Sequence, residues 1–342
     1  MSDHTLNTIE IKNFKCFENL HLEGLQRVNL IGGKNNVGKT AFMEAVELLV
    51  SSSTINDFLY FTRNMVERRQ KNNENKILEL DFINEQSSSV EIKSDNSSCS
   101  IAYLEDGSLI KEINLNKELI SGPYLTLTSN KNRQSVSIDK LMSYKYFLFD
   151  TNIGRLKKVH FVSSETSKEH EIAILYGFLI DLNKESFLND SLKLFDDNIV
   201  SLKQKATDNG IVLKVEVKNR PTPILLSSLG DGVSRYIAIL CAIWASQDGF
   251  LFIDEIENGI HYTNYDKLWH IIFSASKEAN CQLFITTHSK ECIEAFNRES
   301  DSESGAYFEF VKNKKNNKIS AHKRDKEQLG YALSHQGSIR GE

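Results

Sequence analysis

The sequence predicts an α/β fold with a parallel sheet at its centre, an antiparallel β lobe and an inserted helical lobe. Two apolar runs, 249–255, which ends in two acids, and 281–289, which exits into His288, show no polar alternation, which is typical of strands buried in a parallel sheet. A short apolar strand, 27–31, runs through two glycines into a helix-like stretch that starts at Thr40. From about 77 to 127 the pattern changes to short alternating segments between polar turns, which predicts antiparallel strands.

The other segments complete this outline. Residues 8–14 alternate between apolar and polar side chains, so we expect a strand with one buried face and a neighbour at 17–22. In the β lobe the alternating segments are 77–82, 90–93, 101–104 and 109–113, with a hairpin turn at 105–108. Helical spacing returns between 168 and 202, strands are predicted at 214–217 and 224–226, and 308–324 predicts a terminal hairpin.

Length and composition predict one large domain with an insertion. The chain has 342 residues, more than a typical single domain, and its composition is that of a globular protein. We expect a discontinuous core of about 1–60 and 221–342, with an inserted β and helical lobe at 61–220. Lys plus Arg number 41 and Asp plus Glu 46, for a net charge of −5. This balance argues against a generally basic surface for nucleic acid, although a local basic patch stays possible.

Cysteine usage and hydropathy indicate a reducing, aqueous compartment. The cysteines are scattered, odd in number and form no CxxC pair, which argues against a zinc site or a disulfide framework. They are Cys16, Cys99, Cys241, Cys281 and Cys292. No apolar run approaches the roughly 18 residues of a membrane span, and the polar N-terminus is unlike a signal peptide. We therefore expect a cytoplasmic protein.

Residues 33–40 match the pattern G-x-x-x-x-G-K-[ST] between a predicted strand and a predicted helix. The loop consists of Gly33, Lys34, Asn35, Asn36, Val37, Gly38, Lys39 and Thr40. Its glycines let backbone N–H groups surround a phosphate chain at the positive end of the helix. Lys39 would reach the β- and γ-phosphates, and the Thr40 hydroxyl would ligate Mg²⁺. A glycine turn before a helix with an exposed lysine is the simpler alternative.

Acidic and imidazole side chains follow the two apolar strands. Asp254 and Glu255 end the first of these, and His288 follows the second. Ligands of parallel sheets sit beyond the carboxyl ends of the strands, so all three would meet at one edge. There Asp254 would hold Mg²⁺, Glu255 would polarise an attacking water and His288 would bond the γ-phosphate. Helix capping or a solvated strand end would also explain the acids.

A glycine turn, 227–235, precedes an apolar helix that we predict at 236–244. The N–H groups of Gly230, Asp231 and Gly232, with the helix end behind them, would bind an anion. A plain helix cap at Asp231 explains the pattern nearly as well.

Taken in order, these motifs resemble the ATPase core of the ABC superfamily of P-loop NTPases. The four segments are Gly33–Thr40, Leu229–Arg235, Phe250–Glu255 and Ile285–His288. The first strand, Ile9–Phe17, and the stretch Glu257–His261 are closest to the non-transporter branch of RecF, SMC heads and OLD-like ATPases. Residues 49–220 carry no motif that matches.

The resemblance implies a single ABC-type ATPase domain that uses ATP and Mg²⁺ in a head-to-tail homodimer. Each site would join the phosphate loop of one subunit to the Gly230–Gly232 segment of the other. Gly230 stands where the family's signature serine is usual, and no Q-loop glutamine is assigned. The sequence has no long coiled-coil arms and no Toprim pattern after Ser289. We therefore expect an ATPase subunit that gates a separate effector, a nuclease or toxin, in bacterial anti-phage defence.

Two alternatives stay open. A RecF-like DNA-binding ATPase in repair would need a basic groove, for which the candidates are Lys157-Lys158, 131–133 and 312–318. A nucleotide-locked scaffold would hydrolyse ATP slowly or not at all, and Gly230 is the feature that suggests it.

Overall fold

The computed structural model describes residues 5–52, 54–70, 89–104, 124–130, 132–137, 158–165, 168–208, 210–301 and 303–335. In chain order the strands are β1 (Thr8–Phe14), β2 (Phe17–Glu23), β3 (Val28–Gly33), β4 (Ser89–Ser94), β5 (Ser98–Leu104), β6 (Tyr124–Ser129), β7 (Asn132–Ser137), β8 (Val159–Val162), β9 (Ile199–Thr207), β10 (Gly210–Val217), β11 (Ile224–Leu225), β12 (Phe250–Ile253), β13 (Gln282–Thr286), β14 (Gly305–Lys312) and β15 (Ile319–Arg324). The helices are α1 (Lys39–Ser51), α2 (Ile55–Arg69), α3 (Glu169–Asp181), α4 (Glu185–Phe195), α5 (Asp231–Ala245), α6 (Tyr265–Glu278), α7 (Lys290–Glu299) and α8 (Lys326–Ser334).

The central sheet has the strand order β15-β14-β3-β13-β12-β8. Its strands are parallel except β15, which forms an antiparallel hairpin with β14. Strands β3, β12 and β13 are buried along their whole length, as their unbroken apolar sequences predict. Because they run parallel, their carboxyl ends meet at one edge of the sheet. The predicted terminal hairpin and the parallel core are confirmed.

A second sheet, of order β2-β1-β4-β5-β6-β7, is antiparallel throughout. The alternation in β1 puts Ile9 and Ile11 in the core, while Glu10 and Lys12 are half-buried on the other face. Helix α1 lies between this sheet and the central one, since Phe42 shares one apolar cluster with residues of both. The predicted strands at 90–93 and 101–104 are confirmed. Those at 77–82 and 109–113, and the turn at 105–108, lie outside the described residues.

The opposite face of the central sheet is covered by helices around α5. Residues 233–245 of α5 are all buried, against the sheet on one side and α3, α4 and α6 on the other. A three-stranded sheet, β11-β10-β9, flanks these helices. The helical structure predicted between 168 and 202 is wrong at its carboxyl end, because α4 ends at Phe195 and strand β9 begins at Ile199. Strand pairing with β10 therefore prevails there over local periodicity.

Strand β8 lies inside the range 61–220 that the sequence assigns to an inserted lobe. It nevertheless pairs with β12 in parallel, with Val162 beside Ile253, at the edge of the central sheet. Strand β4 likewise pairs with β1. The division of the chain at about 60 and 220 stays a prediction, and the core takes at least these strands from within that range.

Among the described residues, no helix is both long and apolar enough to cross a membrane. None of the five cysteines, all of which lie within the described residues, forms a disulfide, and Cys99, Cys241, Cys281 and Cys292 are buried.

Candidate nucleotide site

The phosphate loop connects the end of β3 to the start of α1 and is held by close packing. Gly33 has a φ of +141°, and a Cβ there would lie 2.5 Å from the carbonyl oxygen of Phe310. Gly38 has a φ of +85°, and its Cβ would lie 2.7 Å from Cys16 Sγ. Both positions therefore require glycine, for conformation and for space.

Lys39 lies folded back onto the loop. Its Nζ donates hydrogen bonds to the carbonyl oxygens of Gly33, at 2.8 Å, and Lys34, at 2.9 Å. Burial lowers the pKa of Lys39, while the carboxylates of Glu255, Glu257 and Asp254 act in the opposite direction. Helix α1 has no acidic residue in its first turn and no side-chain hydrogen bond at Gly38, its N-cap. Its first N–H groups are thus available to an anionic ligand.

Asp254 follows β12 and meets hydroxyl groups from two other elements. Thr286 Oγ1 donates to Asp254 Oδ1 at 2.6 Å. Thr40 Oγ1 lies 3.4 Å from Oδ1 and 3.3 Å from Oδ2. Burial raises the pKa of Asp254, and the nearby carboxylate of Glu255 acts in the same direction. Because burial disfavours the negative charge of Asp254, a cation placed beside this carboxylate would offset part of that cost. Oxygen donors of this kind fit Mg²⁺.

Glu255 has a φ of +47°, in the left-handed region that is uncommon for a residue with a Cβ. Its backbone N–H donates to Thr286 Oγ1 at 2.8 Å, and its Oε2 accepts a 2.8 Å hydrogen bond from Asn258 Nδ2. The same Asn258 amide donates to the carbonyl oxygen of Ser164 at 3.1 Å. The backbone of Glu255 is thus held by β13, and its carboxylate is held by Asn258, which is itself bonded to the segment that follows β8.

His288 follows β13 and faces two carboxylates. Its ring Nδ1 is 3.0 Å from Glu257 Oε1 and 3.8 Å from Glu255 Oε1. Its backbone N–H donates to the same Glu257 oxygen at 2.8 Å. The site residues predicted at the ends of β3, β12 and β13 are therefore brought to one edge of the sheet.

The Gly230–Gly232 segment lies at the start of α5. Gly230 is the N-cap with a φ of +86°, and its carbonyl oxygen accepts a 3.5 Å hydrogen bond from the N–H of Ser234. A Cβ on Gly232 would lie 2.5 Å from the carbonyl oxygen of Gly259. Asp231 is in the first turn of the helix. The segment therefore packs against the turn that follows Glu255 and Glu257, in its own subunit.

The sequence analysis does not predict that Arg235, on α5, takes part in the site. Its side chain is buried, and burial lowers the pKa of the guanidinium to about 10. One terminal nitrogen donates to the carbonyl oxygens of Ser163 and, at 3.2 Å, Glu165; the other donates to those of Asp254, at 2.6 Å, and Glu255, at 3.3 Å. Arg235 thus ties the segments that follow β8 and β12 to each other. An arginine inside an apolar helix was the available signal.

Comparison with solved structures identifies the fold. The chain is similar to the SMC head domain from Thermotoga maritima, with a TM-score of 0.50, 13% identity, and coverage of 94% of this chain and 99% of that chain. It is also similar to an Smc head bound to the C-winged helix domain of ScpA, with a TM-score of 0.52, 9% identity, and coverage of 94% and 98%. These likenesses confirm the fold class predicted from the sequence. The predicted enzyme class, an ATPase, is confirmed by the AAA-domain family and the ATP/GTP phosphatase relative described next.

The family follows from the sequence comparisons. Residues 99–294, more than half of the chain, match the family described as AAA domain, putative AbiEii toxin, Type IV TA system. The chain belongs to this family. A relative from Helicobacter pylori, named ATP/GTP phosphatase, is 27% identical and covers 86% of this chain and 89% of its own length. An uncharacterized protein of Methanocaldococcus jannaschii is 34% identical over 89 residues, which is 26% of this chain and 41% of the relative.

Proposed function

We propose that this protein binds ATP at the carboxyl edge of the central sheet and hydrolyses it to ADP and phosphate. The observation that carries the proposal is the convergence of the Thr40 hydroxyl and the Asp254 carboxylate, 3.3–3.4 Å apart, beside the phosphate loop. A helix cap or an exposed glycine turn would not need these two groups to meet. The name of the H. pylori relative, ATP/GTP phosphatase, supports the same activity.

Phosphate binding would exchange the internal contacts of the loop for contacts with the ligand. The Lys39 ammonium would leave the carbonyl oxygens of Gly33 and Lys34 and bind the β- and γ-phosphates. Backbone N–H groups would complete the cradle. These belong to the loop residues Asn35, Asn36, Val37, Gly38, Lys39 and Thr40.

Thr40 and Asp254 would hold Mg²⁺, directly or through water, since both present oxygen ligands at one point. When bound, the ion would neutralise charge on the phosphate oxygens during transfer. Its presence would also relieve the cost of burying the Asp254 carboxylate.

Glu255 would orient and polarise the water that attacks the γ-phosphate. Its Oε2 is already bonded to Asn258, so Oε1 is the oxygen that would face the water. His288 would donate a hydrogen bond to the γ-phosphate from its exposed edge. Both side chains are partly exposed, 34% for Glu255 and 40% for His288, as ligand-contacting groups must be.

Two subunits would be needed for a complete site. Gly230, Asp231 and Gly232 of one subunit would cover the phosphate loop of the other with backbone N–H groups, since Gly230 has no side chain to offer. We also infer a single domain with a discontinuous core, about 1–60 and 221–342, to which the otherwise inserted residues 61–220 add strands β4 and β8.

Light scattering and phosphate release together test this proposal. We expect the wild type to release phosphate from ATP only with Mg²⁺, and Lys39→Ala to lose this activity. Glu255→Gln should stop hydrolysis and trap an ATP-dependent dimer. The double variant Lys39→Ala/Glu255→Gln should not form this dimer. A constant monomer would rule out the shared site in the isolated chain. If the wild type released no phosphate from ATP, the result would favour the alternative of a nucleotide-locked scaffold.

The proposed setting is an ATPase subunit that gates a separate effector, a nuclease or toxin, in an OLD-like anti-phage system of the bacterial cytoplasm. The family description, which names a putative toxin and a toxin–antitoxin system, supports this direction without specifying the effector. Phage plating on cells that carry the natural gene neighbourhood tests it. Equal plating with the wild type, Lys39→Ala and an empty vector would contradict a role in defence.

DNA binding in repair is the second candidate. The turn between β14 and β15 favours it, since Lys312, Lys314 and Lys315 are exposed there. Lys318 is already paired with Glu18 at 2.8 Å, and Lys158 with Asp248 at 3.0 Å. Lys131 and Lys157 lie outside the described residues. Binding to duplex DNA that requires ATP and weakens with salt would support this candidate.

A further inference from the structure

Glu257 is a buried carboxylate at the edge of the nucleotide site. It is 9% exposed, and its Oε2 is buried without a hydrogen-bond partner among the described residues. A buried carboxylate that is only half satisfied is costly, so a folding role alone explains it poorly. Its other oxygen, Oε1, contacts His288 twice.

The backbone around Glu257 is fixed to the strand that carries His288. Ile256 is fully buried, and its N–H donates to the carbonyl oxygen of Thr286 at 3.1 Å. Within the turn, the N–H of Ile260 donates to the carbonyl oxygen of Glu257 at 3.1 Å. The carboxylate therefore arrives at a set place beside the end of β13, where the chain turns outward to His288.

Glu257 acts on both the backbone and the ring of His288. Oε1 accepts the backbone N–H at 2.8 Å, a well-formed hydrogen bond. Ring Nδ1 is 3.0 Å from the same oxygen but off the hydrogen-bonding direction, so the ring and the Glu257 carboxylate are in close contact without a hydrogen bond at Nδ1.

The contact also determines which side of the ring is open. Nδ1 is buried, whereas the His288 side chain as a whole is 40% exposed, so its exposed part lies away from Nδ1, and Nε2 is the ring nitrogen on that side. A carboxylate only accepts hydrogen bonds. A ring nitrogen that faces it at 3.0 Å is therefore favoured as N–H. Nε2 donates to a phosphate oxygen only when it carries hydrogen as well, so the ring would bind the phosphate as an imidazolium whose Nδ1 side faces Glu257.

Glu255 competes for the same ring nitrogen from 3.8 Å. If Glu257 were absent, Nδ1 would turn to Glu255 Oε1, the oxygen expected to face water. The nearer carboxylate therefore keeps the histidine away from the group that the reaction needs.

We propose that Glu257 is a positioning residue that holds His288 through its backbone N–H and Nδ1, so that Nε2 faces the terminal phosphate and Glu255 stays free. This inference rests on the proposed ATP hydrolysis. It concerns the orientation of His288, which has a readout of its own.

Steady-state hydrolysis of ATP by four variants tests the positioning role. Glu257→Leu removes both oxygens, and we expect kcat to fall about 10- to 100-fold, to the level of His288→Ala, with KM for ATP within about threefold. The double variant Glu257→Leu/His288→Ala should be no slower than His288→Ala, because both changes remove one function. Glu257→Gln keeps an oxygen acceptor and should stay within about fivefold of the wild type. The inference would be overturned if the two substitutions lowered kcat multiplicatively in the double variant, or if Glu257→Leu had the kcat of the wild type.

A matched control separates positioning from the loss of any buried carboxylate. Glu47 on α1 is buried to a similar extent and pairs with Arg68, away from the site. Glu47→Leu, the same substitution, should lower the midpoint of thermal unfolding while kcat stays within about threefold of the wild type.

Nitrogen-15 spectra of histidine-labelled protein give the second readout, which needs no hydrolysis. The His288 signals are those missing from His288→Ala. We expect Nδ1 to carry hydrogen in the wild type and to lose this preference in Glu257→Leu. If the wild type shows this pattern but hydrolyses no ATP, the proposed function is wrong, while the positioning of the His288 ring by Glu257 still stands. A wild type whose Nδ1 carries no hydrogen would overturn the inference, whatever its activity.

Discussion

Thr286, the last residue of β13, bonds both acids at the end of β12 through one hydroxyl group. Its Oγ1 donates to Asp254 Oδ1 at 2.6 Å and accepts the backbone N–H of Glu255 at 2.8 Å. The hydroxyl is buried, so water cannot replace either bond. Two neighbouring strands thus fix the Asp254 carboxylate and the backbone from which the Glu255 side chain extends, a form of the preorganisation that electrostatic catalysis requires.

Thr286→Val keeps the shape of this side chain and removes its hydroxyl. We expect the free energy of unfolding to fall by about 1–3 kcal/mol, because a buried N–H and a carboxylate oxygen lose their partner. Hydrolysis of ATP should fall as well. Thr286→Ser restores the hydroxyl and should recover most of both. Urea unfolding and phosphate release measure the two effects; wild-type values for Thr286→Val would contradict the role of the hydroxyl.

Asp254→Asn should make the protein more stable and inactive. Burial raises the pKa of Asp254 above its ordinary value of 3.8, so the folded state binds this proton more tightly than the unfolded chain. The contribution of Asp254 to the free energy of unfolding therefore falls as pH rises from 3.8 through the folded-state pKa, and it stays unfavourable above it. The amide carries no such cost.

Thermal unfolding without nucleotide or divalent ions measures this difference. We expect the midpoint of Asp254→Asn to exceed that of the wild type by about 2 °C at pH 7 and the gap to close toward pH 4. Excess Mg²⁺ with a non-hydrolysable ATP analogue should reverse the order, since only the wild type keeps the carboxylate ligand. A gap that is independent of pH would show that charge burial is not its cause.

The sequence predicts the central strands and the acids and histidine at their ends because local periodicity carries this information. Strands β12 and β13 are apolar without interruption, and their first polar residues necessarily lie at the sheet edge. Strand β8 is not predicted because His160 interrupts its short apolar sequence and only Val162 is buried, so its pairing with β12 makes it a strand.

Contacts between side chains and distant backbone groups could not be predicted either. Arg235 bonds carbonyl oxygens about 20 and 70 residues away, and Asn258 reaches Ser164. A carbonyl oxygen is present at every position, so such bonds leave no pattern in the sequence. The same holds for the contact between Glu257 and His288, which only the turn after β12 brings together.

Arg235→Met tests whether the guanidinium holds the ends of β8 and β12 together. Methionine fills similar space but leaves the carbonyl oxygens of Ser163 and Asp254 without this donor. We expect the free energy of unfolding to fall by about 3 kcal/mol, with a lower kcat for ATP. As a control, Arg298→Met removes an exposed arginine paired with Asp266 and should cost no more than about 1 kcal/mol. Equal losses in the two variants would contradict a special role for Arg235.

Gly232→Ala tests the close packing between the start of α5 and the turn after the acidic residues. The added Cβ would lie 2.5 Å from the backbone carbonyl oxygen of Gly259, which cannot move without shifting the turn that carries Glu255 and Glu257. We expect a loss of about 1–3 kcal/mol in the free energy of unfolding, with weaker ATP-dependent dimerisation of Glu255→Gln. Gly177→Ala, in α3, is the matched control: nothing lies within 4 Å of the new Cβ, and alanine favours helix. It should gain up to about 1 kcal/mol. If Gly232→Ala proved as stable as Gly177→Ala and formed the dimer normally, the contact with Gly259 would not limit this segment.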